Sequence, residues 1–323
     1  PYGADVLRLW VSSVDYSADV PIGAGILRQL ADVYRKVRNT SRYLLGNLHD
    51  FNPASDAIAV ADLPLLDRWM LQRTAEVMDE ITEAFESYEF FRFFQLLQNF
   101  CVTDLSNFYL DIAKDRLYVS APADQRRRSC QTVMALIIER LAGFIAPVLC
   151  HMAEDIWQNL PYPVQETSVF QRGWSTIPSD WRNDTLSAPV QQLRDLRAAV
   201  NKVLEDCRGR QELGASLEAA VRIDARSPEL QAALSWLNDN GDPDVDGLRD
   251  WLLVSQLQLG GEPWAEVLAS HEDELALIDV SRARGTKCER CWHYEGDVGQ
   301  HPDHPHICGR CVGVLERRTH QLA

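Results

Sequence analysis

Apolar residues recur every three or four positions through most of the first 160 residues, which is the spacing of amphipathic helices. In the stretch 24–48 these positions form one continuous stripe. The same spacing predicts four further helices and a short apolar one at the start of the chain, over about 63–87, 89–113, 124–146, 147–160 and 4–14. The stretch 89–113 is apolar on nearly all sides, which predicts a central place in a helical bundle.

The pattern changes after residue 160. Residues 161–183 contain three prolines and no helical period, so we expect an extended linker. Beyond it, the sequence predicts helices and period-two or apolar strands in alternation. The helices cover about 185–208 and 228–239, and the strands cover about 217–224, 251–259 and 275–282.

These elements predict a mainly α protein with three structured parts. A helical-bundle domain covers 23–160, a small α+β domain covers 184–284, and a four-cysteine tail covers 285–323. The 323 residues carry a formal net charge of −15, which argues mildly against a nucleic-acid partner. Phosphate contacts need only a local basic surface, however, so the average does not decide the question. No apolar run is long enough to span a bilayer, and no membrane partner is expected.

Two Cys-x-x-Cys pairs lie near the C-terminus, formed by Cys288, Cys291, Cys308 and Cys311. The sixteen residues between the pairs fit the spacing of a four-thiolate zinc site. Disulfides or an iron–sulfur cluster would also use four cysteines, but nothing marks a secreted chain, and two separated knuckles favour zinc. Four histidines lie between the pairs, at His293, His301, His304 and His306. One of them could replace a sulfur as a ligand, but with four cysteines available the simpler interpretation is that all four are solvated loop residues. Four sulfurs leave no open position, so we expect a structural metal.

Arginines recur at helical spacing in the stretch 28–42, roughly opposite its apolar stripe. They are Arg28, Arg35, Arg38 and Arg42. Such a face could follow a phosphate backbone, and it could equally be a solvated polar face. A second run, Arg126–Arg128, opens a predicted helix and is a weak hint of an external anion, because cations at a helix N-terminus oppose its dipole.

No catalytic signature is present in the sequence. Phosphate-binding loops, dinucleotide fingerprints, zinc-protease motifs and serine-hydrolase elbows are all missing. The residues themselves therefore predict a binding module with a structural metal and no active site. Because the chain begins at Pro1 and its first methionine is Met70, we also expect either a processed chain or a piece of a longer protein.

Several strings resemble one family in family order over nearly the whole chain. They are YGADVLRLWVSSVDYSADV (2–20), YRKVRNTSRYLLGNL (34–48), LDRWML (66–71), LSNFYLDIAKDRLY (105–118), SVFQRGW (168–174), VNKVLEDCRGRQELGASLEAAV (200–221) and GTKCERCWHYEGDVG…HICGRCV (285–312). The chain resembles the C-terminal portion of isoleucine–tRNA ligases. One departure is Gln211, where relatives commonly carry lysine, so we make no claim of an RNA contact there.

The resemblance implies a role and a set of contacts. Residues 1–22 would be the remnant of the connection from the catalytic domain, and 23–160 would bind the anticodon stem-loop of tRNA-Ile. Arg28, Arg35, Arg38 and Arg42 would contact RNA, and so would four residues around the cysteines, namely Lys287, Arg290, Trp292 and Arg310. Packing against the metal site is an equally good interpretation of Trp292. ATP and Mg²⁺ would bind only through the absent catalytic domain, which carries the HIGH-like and KMSKS-like motifs. We expect one structural Zn²⁺, a monomer, no DNA partner, and a cytoplasmic or organellar location.

Two other functions compete with this interpretation. DNA-repair glycosylases of the formamidopyrimidine type end in the same kind of finger and use an N-terminal proline. They have glutamate where this chain has Tyr2, and a β-rich N-terminal domain where it predicts helices. A stand-alone RNA-binding protein is the second alternative, and the start at Pro1 speaks against it.

Overall fold

A computed structural model describes the backbone of residues 2–322 and the side chains of residues 2–317. Within these limits the chain forms two compact units. The helical unit comprises Pro1–Ala113 and Arg127–Asn183, and the mixed unit comprises Lys114–Arg126 and Asp184–Ala323. The side chains at the end of the predicted tail, 318–323, lie outside the described residues.

The first half of the chain is helical, as its periodicity predicts. Its helices are α1 (Ala4–Ser12), α2 (Ala24–Gly46), α3 (Pro53–Asp56), α4 (Leu65–Glu86), α5 (Phe90–Asn99), a π-helical segment (Phe100–Tyr109), α6 (Leu110–Val119), α7 (Gln125–Ile145) and α8 (Cys150–Gln158). The chain passes between the units within α6 and again at the start of α7.

The core of the helical unit is built around α4, which buries thirteen of its residues. Among them is the carboxylate of Asp67, which accepts a 2.6 Å hydrogen bond from the hydroxyl of Tyr109. Arg73 reaches the largely buried Asp104 at 3.0 Å. Buried carboxylates are tolerated only when they are paired in this way, so these contacts fix α4 against the π-helical segment.

The predicted linker is packed rather than loose. Its side chains Tyr162, Val169 and Trp181 are buried in the helical unit, and the guanidinium of Arg140 lies 5.2 Å from the ring centre of Trp181. Arg182 pairs with Asp79 on α4. Residues 161–183 therefore form part of the core of the helical unit.

The mixed unit contains a four-stranded sheet backed by helices. The elements are α9 (Ser187–Gly209), β1 (Ala219–Ala225), α10 (Pro228–Asn240), α11 (Leu248–Leu252), β2 (Gln256–Leu259), β3 (Ala269–Glu272), β4 (Ala276–Arg282), β5 (Thr286–Lys287), β6 (Tyr294–Glu295) and α12 (Gly309–Leu322). The strand order is β2-β1-β4-β3, with β1 parallel to β2 and antiparallel to β4. The small hairpin β5–β6 leads into the cysteine pairs.

Register across the sheet separates an apolar face from a polar one. Val221 lies opposite Val280, and both are fully buried. The next pair, Arg222 and Asp279, points to the other face and forms a buried 2.7 Å ion pair. The helix-rich bundle, the small sheet and the four-cysteine cluster together confirm the predicted fold class.

Candidate metal centre and nucleic-acid interface

The two cysteine pairs come from two different local structures. Cys288 and Cys291 lie in a turn after β5, closed by hydrogen bonds from the amide of Trp292 to the carbonyl of Cys288 (2.9 Å) and from the amide of Cys288 to the carbonyl of His293 (2.8 Å). Cys308 and Cys311 flank the start of α12. Gly285 is required at the hairpin, because its φ of +100° and a Cβ only 2.5 Å from the carbonyl oxygen of Glu295 would both strain any other residue.

The four sulfurs lie together in a buried group. All lie within 4.8 Å of one another, with 3.7 Å between Cys288 and Cys311 and 3.8 Å between Cys291 and Cys308. A disulfide would need about 2.05 Å. Zinc–sulfur bonds of about 2.3 Å in a tetrahedron place sulfurs about 3.8 Å apart. The separations therefore fit one zinc ion held by four thiolates.

The environment of the sulfurs agrees with a metal site. The sulfurs hydrogen-bond in two pairs, Cys288 with Cys311 and Cys291 with Cys308. The amide of Cys308 also points at the sulfur of Cys288, 3.4 Å away. In the part of the chain that the structure describes, no histidine nitrogen joins this group of sulfurs.

The four predicted contact residues of the tail differ in availability. Trp292 is 60% exposed, and Lys287 lies 5.6 Å from the centre of its ring. Its φ of +66° is uncommon for a bulky side chain, so the turn holds this ring outward at some cost in backbone strain. Arg310, by contrast, makes two hydrogen bonds to the carboxylate of Asp115, and Arg290 donates to the carbonyl of Val119.

All four predicted contacts on α2 are exposed. Arg28, Arg38 and Arg42 have no hydrogen bond or ion pair to another described residue, and Arg35 pairs only with the equally exposed Asp32 at 2.7 Å. The apolar stripe of the helix is buried on the other side, at Leu30, Val37 and Leu44. The helix therefore presents a row of available guanidinium groups to solvent.

The second arginine run has a different environment. Arg127 forms a bidentate pair with Asp50 at 2.6 and 2.8 Å, and Arg128 bonds to the main-chain carbonyl of Asp50 and to Gln131. Internal acids therefore occupy these arginines, and the expectation of an external anion at this helix start is not supported. Asp50 and Asp115 both carry structural roles that the sequence analysis missed, because no local signal connects them to arginines far along the chain.

One further cluster of metal-binding residue types has a simpler explanation. Asp5, Cys150 and His151 lie close together at the start of α8. The carboxylate of Asp5 accepts hydrogen bonds from the amide of Met152 and from Nδ1 of His151, both at 2.9 Å. Asp5 therefore satisfies free amides at the N-terminus of the helix, which is an ordinary capping role.

Comparison with known proteins finds one family model that matches most of the helical unit and part of the mixed unit, and another that matches the cysteine site. The family model for the anticodon-binding domain of tRNA ligases matches residues 67–223, and the model for a zinc finger found in FPG and IleRS matches residues 285–313. The chain is 98% identical over 322 residues to the isoleucine–tRNA ligase of Parasynechococcus marenigrum (strain WH8102). The aligned region is 100% of this chain and 33% of that protein. By sequence, the whole of this chain is similar to the C-terminal third of isoleucine–tRNA ligases.

Two other isoleucine–tRNA ligases match nearly the whole of this chain. Those of Synechococcus sp. (strain CC9311) and Prochlorococcus marinus (strain MIT 9313) are 78% and 77% identical, over 98% of this chain and 33% of each relative. The chain thus spans about a third of the length of the curated relatives it matches.

Among the described residues, the helices are too short or too polar to cross a membrane. The zinc-finger model alone would also fit the glycosylase alternative, but the anticodon-binding match and the helices before it would not.

Proposed function

We propose that this chain is the tRNA-binding C-terminal part of an isoleucine–tRNA ligase. The relatives carry that name, and one of the two matching family models describes an anticodon-binding domain. In the whole enzyme, isoleucine would be activated with ATP and Mg²⁺ and then esterified to tRNA-Ile by the part absent from this chain. The chain itself would bind and orient the tRNA without making or breaking a bond.

The metal part of the proposal is one structural Zn²⁺ held by Cys288, Cys291, Cys308 and Cys311. Their buried sulfurs at tetrahedral separations support it. With four thiolates bound, the ion has no position for water or substrate, so it would only fix the two turns to each other. Those turns carry Lys287 and Trp292, and the metal would thereby hold the exposed indole ring in place.

The RNA part of the proposal depends chiefly on the available arginines of α2. Between Arg28 and Arg42 the helix extends about 21 Å at 1.5 Å per residue, and the four side chains lie within one sector of its surface. Free guanidinium groups bind phosphates bidentately and release condensed counterions. Unpaired anticodon bases can stack on flat side chains, and the exposed ring of Trp292 offers such a plane.

The zinc proposal is tested with Cys288→Ser and Cys311→Ser. Metal and folding are coupled in small zinc modules, so each change should release zinc and unfold the tail while the helical unit keeps its structure. Metal content by mass spectrometry and hydrogen exchange of the two units measure these effects. Full zinc occupancy in both variants would refute this ligand set.

The RNA proposal is tested by binding tRNA-Ile and its isolated anticodon stem-loop over a range of salt concentrations. Changing Arg35, Arg38 and Arg42 together to glutamine should weaken binding and reduce the salt slope by about 2–3 if each arginine meets one phosphate. Arg226→Gln, which removes an exposed arginine paired with Glu272 on the sheet, is the matched control. If the salt dependence of binding is unchanged in the triple variant, the arginines of α2 do not contact RNA phosphates and form only a solvated polar face.

The remaining expectations stay predictions of the same proposal. They are a monomer, no affinity for DNA, and a cytoplasmic or organellar location. Roles for Arg290 and Arg310 in RNA binding also stay predictions, and their internal contacts mean that RNA would have to compete with Val119 and Asp115 for them.

A further inference from the structure

Each Cys-x-x-Cys pair contains an arginine that directly precedes its second cysteine. Both arginines donate hydrogen bonds to the same short segment of the chain. Arg310, beside Cys311, donates two hydrogen bonds to the carboxylate of Asp115, at 2.6 and 2.8 Å. Arg290, beside Cys291, donates to the main-chain carbonyl of Val119 at 2.5 Å. Both acceptors belong to residues 114–126, a segment about 170–195 positions earlier in the chain.

The segment also packs in the same apolar cluster as the cysteines. The side chain of Val119 is 6% exposed and packs in one cluster with all four cysteines. This segment is grouped with residues 184–323 although its neighbours on both sides belong to the helical unit. Packing against the cysteine site therefore helps to join these thirteen residues to the mixed unit.

Charge gives the contacts a physical reason. Four thiolates around Zn²⁺ carry a net charge of about −2, and such a buried anion needs nearby cations. Arg290 and Arg310 directly precede Cys291 and Cys311 in the chain and supply two positive charges beside the site. Asp115 holds Arg310 in place, and its own pKa is lowered because the bonds from Arg310 outweigh the effect of burial.

We propose that Asp115 and the carbonyl of Val119 form the outer shell of the four-cysteine site, through Arg310 and Arg290. Zinc binding and docking of residues 114–126 are then one event. Outer-shell partners orient metal ligands and tune their affinity. Asp115 is a positioning residue in this arrangement, because it acts through Arg310 and is not one of the four zinc ligands. The inference rests on the zinc proposal above and adds a residue and a segment to it.

The test uses the full chain with zinc bound and the change Asp115→Asn, which keeps the shape and removes the charge. Transfer of zinc to a chromophoric chelator should show affinity lower by about 10–100-fold, the usual cost of losing an outer-shell partner. Glu272→Gln, which breaks an exposed ion pair to Arg226 elsewhere in the mixed unit, should leave the affinity unchanged. Arg310→Lys keeps the charge without the bidentate contact and should fall between wild type and Asp115→Asn.

Hydrogen exchange supplies a second measurement. If zinc affected only the cysteine turns, its removal would not change amide exchange within 114–126. Removing zinc from the wild-type chain should increase exchange within 114–126 and leave α10 and α4 unchanged. Wild-type zinc affinity in both Asp115→Asn and Arg310→Lys, or unchanged exchange in 114–126 after zinc removal, would overturn the outer-shell proposal while the metal site stands. A wild-type chain that binds no zinc at all would remove both proposals.

Discussion

The helices α2 and α7 both carry several arginines close together in the sequence, but the arginines of α2 are exposed whereas Arg127 and Arg128 of α7 are paired with acidic residues. Both sets are dense and lie on helices of comparable length. Arg28, Arg38 and Arg42 have no acidic partner among the described residues, whereas Arg127 is 9% exposed and bound to Asp50 through two nitrogens. A basic run therefore indicates a nucleic-acid surface only when the fold leaves it unpaired, and the deciding acid can lie 77 positions away.

The largest effect expected from this contrast is on stability at α7. Arg127→Met should lower the free energy of unfolding of the helical unit by about 2–3 kcal/mol, somewhat less than the 3–5 kcal/mol typical of a broken buried pair, because Arg128 and Gln131 still contact Asp50. Urea unfolding followed by hydrogen exchange in the helical unit measures the change.

Arg127→Lys separates charge from geometry at the same position. Lysine keeps the charge but cannot make the two parallel bonds, so a loss of about half the size is expected. Arg28→Gln on α2, with no partner to lose, is the matched control and should change stability by less than about 0.5 kcal/mol. Equal losses at Arg127 and Arg28 would contradict the contrast between the two helices.

The sequence was sufficient for the elements with strong periodicity. The predicted strand 217–224 and helices 185–208 and 228–239 agree with β1, α9 and α10 within two residues. The apolar run 251–259 was predicted as one strand and instead divides into the end of α11 and β2. Short apolar runs fit either structure, and only the pairing with β1 decides between them.

The candidate site also contains some residues that the sequence predicts and others that only tertiary packing brings together. Cysteine spacing predicts the metal ligands because all four lie within 24 residues and chelation constrains that spacing. Asp115, Val119 and Asp50 could not be predicted, since each meets its arginine through tertiary packing. The β3 strand was missed as well, because its four residues alternate too briefly to register as a pattern.

A second and smaller effect is the pH dependence of the α7 pair. Burial of Asp50 would raise its pKa, but hydrogen bonds from Arg127 and Gln131 and the nearby positive charges outweigh burial and lower the pKa to about 2 from 3.8. A lowered pKa stabilises the folded state above pH 3.8, and this contribution disappears as pH falls through about 2. The shift corresponds to about 1–2 kcal/mol after allowance for partial exposure.

The change Asp50→Asn isolates this term. The difference in unfolding free energy between wild type and variant should be constant from pH 7 to about 5 and should shrink between about pH 4 and 2. Urea titrations at pH 7, 4 and 3 measure it. A difference that grows toward low pH would mean that the carboxylate destabilises the fold, and the account of Arg127 would then be wrong.

The smallest effect on stability is expected at α2, and it is the most informative about function. Changing Arg35, Arg38 and Arg42 together to glutamine should alter the free energy of unfolding by less than about 1 kcal/mol, because the one ion pair lost, to Asp32, is exposed on both sides. The same variant should lose tRNA affinity and salt dependence. Stability that falls together with affinity would mean that these side chains support the fold, whereas affinity lost at constant stability would mark α2 as a surface kept free for RNA.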